Sequence, residues 1–194
     1  MAVSTSGPPA SGPEGPVIEP FAARPRSAMV LDQIDRIFFE ASGTKSFSSA
    51  QARAAFHERW LGRYLAQDVE HAFLAITPFP RDDVAGYLVG SIVDPARQSR
   101  FDDLSYLREL ATLTARYPAH LHVNLAPEWR GKGLGRALVD AFCLHAARAG
   151  APGVHVFTGR GMRNVGFYES AGFGEVAAVA WNEREIVMLA RDLP

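Results

Sequence analysis

The sequence of 194 residues has one cysteine, Cys143, so no disulfide can close within the chain, and a reducing, cytoplasmic setting is the simple expectation. It has no apolar run near the roughly 20 residues that a membrane-spanning helix needs. Residues 1–10 carry neither a basic stretch nor an apolar one, so no signal peptide is read there. Charge of either sign is not in excess: 20 Lys and Arg meet 21 Asp and Glu, for a net charge of -1. A chain this neutral has no broad basic face for nucleic acid. Internal repeats are absent as well.

What is present fits a packed domain. Apolar residues make up 47% of the chain, enough for a core. Six of the thirteen prolines fall within residues 1–26, among glycines and serines. Such a stretch has too little apolar surface to offset its ordering entropy. We therefore expect a disordered leader over 1–26 and one domain over 27–194. Val17 to Phe21 is the only candidate for an early strand.

Beyond the leader, helix and strand signals alternate. Helices are expected over Ala28 to Ala41, from Ser48 or Ser49 to about Ala66, and over Asp102 to Arg116. Strands at His71 to Ile76 and Val84 to Val93 flank a proline-rich turn. A strand at His120 to Leu125 runs into a glycine-rich turn and then a helix ending near Ala149. Val154 to Phe157, a short helix at Arg163 to Ala171, and a hairpin around Asn182-Glu183 complete the pattern.

The turn after Leu125 is the most informative segment. Gly131, Gly133 and Gly135 let the chain bend sharply into a helix, and their N–H groups can converge on an anion. Arg130, Lys132 and Arg136 concentrate positive charge there, although the whole chain is almost neutral. Neither a Walker A loop nor a Gly-x-Gly-x-x-Gly dinucleotide fingerprint is present.

At these residues the chain resembles the GNAT superfamily of acyl-CoA-dependent N-acetyltransferases. The signature Arg/Gln-x-x-Gly-x-Gly/Ala is matched by Arg130 to Gly135, and Phe-Tyr-x-x-x-Gly-Phe by Phe167 to Phe173. The segment Tyr117 to Leu125 is similar to bacterial members related to the acetyltransferase-like domain of O-GlcNAcase. The resemblance implies an α/β fold with a mixed sheet, mostly antiparallel, with a splayed central parallel pair and flanking helices. It implies acetyl-CoA as co-substrate, no metal, and a primary amine on a small molecule or peptide as acceptor. A membrane or nucleic-acid partner is not implied, and a homodimer is allowed.

The same resemblance implies site roles. Val123, Asn124 and Leu125 would meet the pantetheine arm, with the Leu125 N–H polarising the thioester carbonyl. Arg130, Gly131, Lys132, Gly133, Leu134, Gly135 and Arg136 would hold the pyrophosphate. Phe167 and Asn164 would complete the CoA site, Asn164 replacing a family Asn whose usual position here is Gly161; a cap of the short helix is the other reading of Asn164. Tyr168 would protonate the leaving thiolate.

The base is less standard, because His120 and His122 stand where many members carry a carboxylate. In a strand, residues 120, 122 and 124 share one face. We read His122 as the base, and His120 and Asn124 as acceptor-facing. Polar sheet-face residues and a metal pair are the other readings of the two histidines. A rate that rises with pH near the ordinary imidazole range would follow. Arg53, Arg59 and Arg63 read as a solvated helix face. A non-catalytic acyl-CoA-binding module is the alternative function.

Overall fold

The computed structural model describes residues 15–194. Seven strands form one sheet in the order β1-β2-β3-β4-β5-β7-β6. They are β1 (Val17–Pro20), β2 (Phe73–Ile76), β3 (Val84–Ser91), β4 (Ala119–Leu125), β5 (Gly153–Gly159), β6 (Gly174–Trp181) and β7 (Arg184–Asp192). All neighbours pair antiparallel except β4 and β5, which are parallel. This is the expected mixed sheet.

Local chemistry explains the connections. Thr77 closes the β2–β3 turn twice: its N–H donates to the Asp83 carbonyl, and its side-chain oxygen accepts from the Asp83 N–H, each at 2.9 Å. Asn182 and Glu183, with φ of 48° and 60°, form the two-residue left-handed turn that matches strand twist.

Helices cover both faces. On one lie α1 (Ala28–Ala41), α2 (Ala50–His57), α3 (Arg63–Gln67), α4 (Tyr106–Glu109) and α5 (Ala111–Arg116). Ser27 caps α1 by accepting from the Val30 N–H, and Ser49 caps α2 by accepting from the Ala52 N–H. The other face carries α6 (Leu134–Arg148) and α7 (Asn164–Ser170). Helix α6 buries Leu138, Val139, Phe142, Cys143 and Ala146 against the sheet. Burial pushes the Cys143 thiol up to about 11, so it behaves as a small core side chain. Among the described residues no helix is long and apolar enough to cross a membrane.

Two expectations need correction. The leader was expected to run to residue 26, but the candidate early strand within it, Val17 to Phe21, is formed: residues 17–20 are the edge strand β1, paired with β2 from Val17↔Ile76 to Pro20↔Phe73. Residues 1–14 of that expected leader lie outside the described residues. Pro16 and Pro20 are tolerated because an edge strand needs ladder donors on one side only. Phe21 follows fully buried, which contributes about 2–3 kcal/mol towards ordering the segment. Secondly, the helix expected over Asp102 to Arg116 is broken at Leu110, which leaves the helical region at φ -104° and ψ 12°.

Candidate functional site

Strands β4 and β5 pair only at Ala119↔Val154 and His120↔His155, after which the sheet opens. The Ala126 N–H donates to the Ala85 carbonyl on the β3 side. Alternation along the strand therefore turns the N–H groups of Val123 and Leu125 towards the opening. The Leu125 carbonyl accepts from Arg130 Nε at 3.2 Å instead of from a strand.

The opening leads into a cleft of about 890 Å³. Val123, Asn124, Leu125, Asn164, Phe167 and Tyr168 line one part of it. The glycine-rich turn lines the rest through Arg130, Gly131, Gly133, Gly135 and Arg136. Gly131 and Gly133 have φ of 72° and 79°, a conformation that side chains strain, and no atom stands within 4 Å of where a Cβ would be. Gly133 also begins α6 without a side-chain cap. The first N–H groups of this fifteen-residue helix are therefore left for an anion. Gly135 has a different reason: a Cβ there would stand 3.3 Å from the Phe167 ring and 3.4 Å from Leu125.

The cationic groups are not equivalent. Arg130 leaves Nη2 buried and without a hydrogen-bond partner, a donor waiting for an acceptor. Arg136 is held by Asp140 and the Ser170 carbonyl, each at 2.7 Å. Lys132 lies over the Trp129 ring at 4.8 Å, and Leu134 packs into the core; neither side chain lines the cleft. Open glycine N–H groups and an unpartnered guanidinium suit a pyrophosphate, so acetyl-CoA fits the residues present.

Asn164 lines the cleft, and its Oδ1 accepts from the Thr158 hydroxyl at 2.7 Å. No side chain caps α7, so capping is not the role of Asn164. Tyr168 packs between Phe167 and Phe173 at centroid distances of 5.0 and 5.6 Å. Burial alone holds its phenol well above the usual tyrosine range, so it stays protonated at neutral pH.

Across the sheet, His120, His122 and Asn124 do share a face, but their surroundings differ. The Asn124 amide donates to the Tyr87 hydroxyl at 2.9 Å. His122 is half-buried, with Nε2 3.3 Å from the Tyr64 hydroxyl and its ring edge-on to Trp60. Burial, then Arg63 and His155, push its pKa down to about 4. The expected rate change near the ordinary imidazole range is therefore corrected: His122 is neutral throughout that range.

His120 is buried. Its Nδ1–H donates to the Pro118 carbonyl, and its Nε2 has no partner. It stacks on His155 at 5.4 Å, and burial holds it well below the usual histidine range. Among the described residues no group of three His, Cys, Asp or Glu side chains could hold a metal ion.

The structure adds residues that no motif marks. Trp60, Tyr64, Tyr106 and Phe157 join the histidines around a chamber of about 20 Å³ beside the opening. Arg63, expected on a solvated face, is buried and paired through both Nη atoms with Asp103 at 3.0 Å. Helical spacing shows only that Trp60 and Tyr64 lie one turn apart; nothing in it ties them to residues 106 and 157.

The acetyltransferase (GNAT) domain model matches residues 60–175, more than half of the chain. A mycothiol acetyltransferase from Nocardiopsis dassonvillei is 48% identical over 52 residues, or 26% of this chain. That match spans only 16% of the relative's length. The crystal structure of SsHAT superposes with a TM-score of 0.69 at 21% identity, covering 92% of this chain and 98% of that one. The NatC complex bound to Gag peptide and CoA gives a TM-score of 0.62 at 16% identity, with coverage of 93% and 99%. At these identities the two structures speak for the fold.

Proposed function

The chain belongs to the GNAT family of acetyl-CoA-dependent acyltransferases, and within it we propose that this protein moves acetyl from acetyl-CoA to a primary amine by direct attack. The observation that carries the reading is the break between β4 and β5, with an anion-binding cleft reaching Val123 to Leu125 and a histidine-lined chamber at His120 to His122 on the same strand.

Acetyl-CoA supplies an activated acyl group on a good leaving thiol. The turn from Arg130 to Arg136 holds its phosphates, chiefly through backbone N–H groups and the free Arg130 Nη2. Backbone groups of Val123 and Leu125 receive the pantetheine arm as a missing strand would be received. The Leu125 N–H points at the carbonyl oxygen as negative charge grows on it. Asn164 and Phe167 fix the arm's other side.

In the transfer, the nitrogen–carbon bond forms and the carbon–sulfur bond breaks. Tyr168 gives its phenolic proton to the departing sulfur. His122, neutral and hydrogen-bonded to Tyr64, accepts the proton that the amine must lose. A base this weak cannot strip a proton from an alkylammonium ion, so the amine has to be taken in as the free base. No covalent link between acetyl and the enzyme is needed.

Replacing Tyr168 with Phe tests the reading. Acetyl-CoA affinity by calorimetry should stay within about twofold, while amine-dependent thiol release falls about 10²-fold or more. If thiol release from the wild type never exceeds its amine-free rate over a panel of amines, the protein is instead a non-catalytic acyl-CoA-binding module.

A further inference from the structure

Residues 50–67 run as one helix interrupted by a five-residue π-turn, Glu58–Gly62. Such a turn shifts every later side chain around the axis and recurs at functional sites. Trp60 lies in it. Its indole stands edge-on to His122 at 5.5 Å and to Trp181 at 6.3 Å. Trp181 in turn meets Tyr106 at 5.3 Å, and Tyr106 meets Phe157 at 4.8 Å. These rings form a continuous wall on the acceptor side of the opening.

The chamber behind the wall is about 20 Å³, room for one water-sized group. An unbranched end such as an amino group fits that space, and a branched carbon skeleton is too wide for it. No carboxylate lines the chamber. Asp68, Asp94 and Asp103, whose charges reach its lining residues, are paired with Arg100, with Arg97, and with Arg63 and Arg59. An ammonium ion would find no counter-charge there. His120 Nε2 lines the same space without a partner, and because Nδ1 donates to a carbonyl, Nε2 presents a lone pair. A neutral N–H donor of water's size satisfies it.

We propose that Trp60 is the specificity-determining residue of the acceptor side: its indole borders the β4–β5 opening so that a primary amine on an unbranched carbon reaches the thioester, while bulkier amines do not. This rests on the acetyl-transfer reading above and adds its acceptor class.

The test compares the wild type with Trp60→Ala and Trp60→Phe. Thiol release from acetyl-CoA is followed without amine, with n-butylamine and with sec-butylamine, and acetyl-CoA affinity is measured by calorimetry. The wild type should favour n-butylamine by about tenfold or more. In Trp60→Ala the preference should collapse to about twofold. Affinity for acetyl-CoA should be unchanged, and Trp60→Phe should fall between. Should Trp60→Ala fail to fold, Trp60→Phe alone decides, through a partial shift in the preference. No preference in the wild type, or a preference unmoved in the variants, overturns the gate. Failure of the wild type to bind acetyl-CoA overturns instead the acetyl-transfer reading on which it rests.

Discussion

His155 allows a prediction of acid stability whose size follows from its surroundings. The ring is 1% exposed, stacked on His120 and edge-on to Phe157 at 5.0 Å. Its Nδ1–H donates to the Tyr117 carbonyl, which can only accept, so Nε2 is the nitrogen that would take a second proton. Burial pushes the pKa down to about 4, against an ordinary 6.5. A folded-state pKa below the unfolded one means that the unfolded chain binds more protons between those values. The stabilisation is therefore complete above about pH 6.5 and is lost as pH falls towards about 4. A displacement of this size corresponds to about 3 kcal/mol in full, of which about 2 kcal/mol is gone by pH 5. Asp82 and Asp103 are held below the usual carboxylate range by Arg24, Arg63 and Arg59, so their contributions fade only at lower pH. Histidines dominate the window: His120, His122 and His145 are displaced in the same direction.

Urea unfolding at pH 8 and pH 5 measures the effect. In His155→Asn the side-chain amide can still donate to Tyr117, but nothing titrates. The fall in stability between the two pH values should shrink by about 2 kcal/mol relative to the wild type. An equal fall in both proteins would refute the argument that burial of His155 sets the acid limit.

Three further outcomes are expected. Arg130→Ala should weaken acetyl-CoA binding about tenfold or more in calorimetry, because it removes the one cleft guanidinium with an unpartnered buried nitrogen. Gly133→Ala should lower stability by about 1 kcal/mol in thermal unfolding through its left-handed backbone, and weaken acetyl-CoA by disturbing the turn. The kcat/KM profile should show no inflection from His122 between pH 5.5 and 8, and should follow instead the free-base fraction of the amine supplied; an inflection near pH 6.5 that vanishes in His122→Ala would contradict its pKa of about 4.

The parts of this site that sequence makes legible are those fixed by backbone. Gly131 and Gly133 announce a turn because their left-handed φ values nearly require glycine, and cations beside such a turn announce an anion. Phe167 and Tyr168 follow at the spacing of a second motif. The chamber wall is not legible in this way. Trp60, Tyr106, Phe157 and Trp181 meet only because the sheet brings β5 and β6 under the helices of the opposite face. Strand β1 was legible only as a candidate: its prolines speak for disorder locally, while the Phe21 N–H that follows it is held by the Ala72 carbonyl, more than fifty positions away.

The histidines show where the boundary lies. Strand alternation places 120 and 122 on one face, and the structure keeps them there. Their chemistry, however, depends on which rings close over them. Phe101 and Tyr64 cover His120, Trp60 and Tyr64 cover His122, and both imidazoles are forced neutral. A pair that composition would assign to titration near neutrality becomes a pair of fixed hydrogen-bonding groups. On the proposed amine-transfer reading, control of the rate by pH then passes from His122 to the protonation state of the amine that enters.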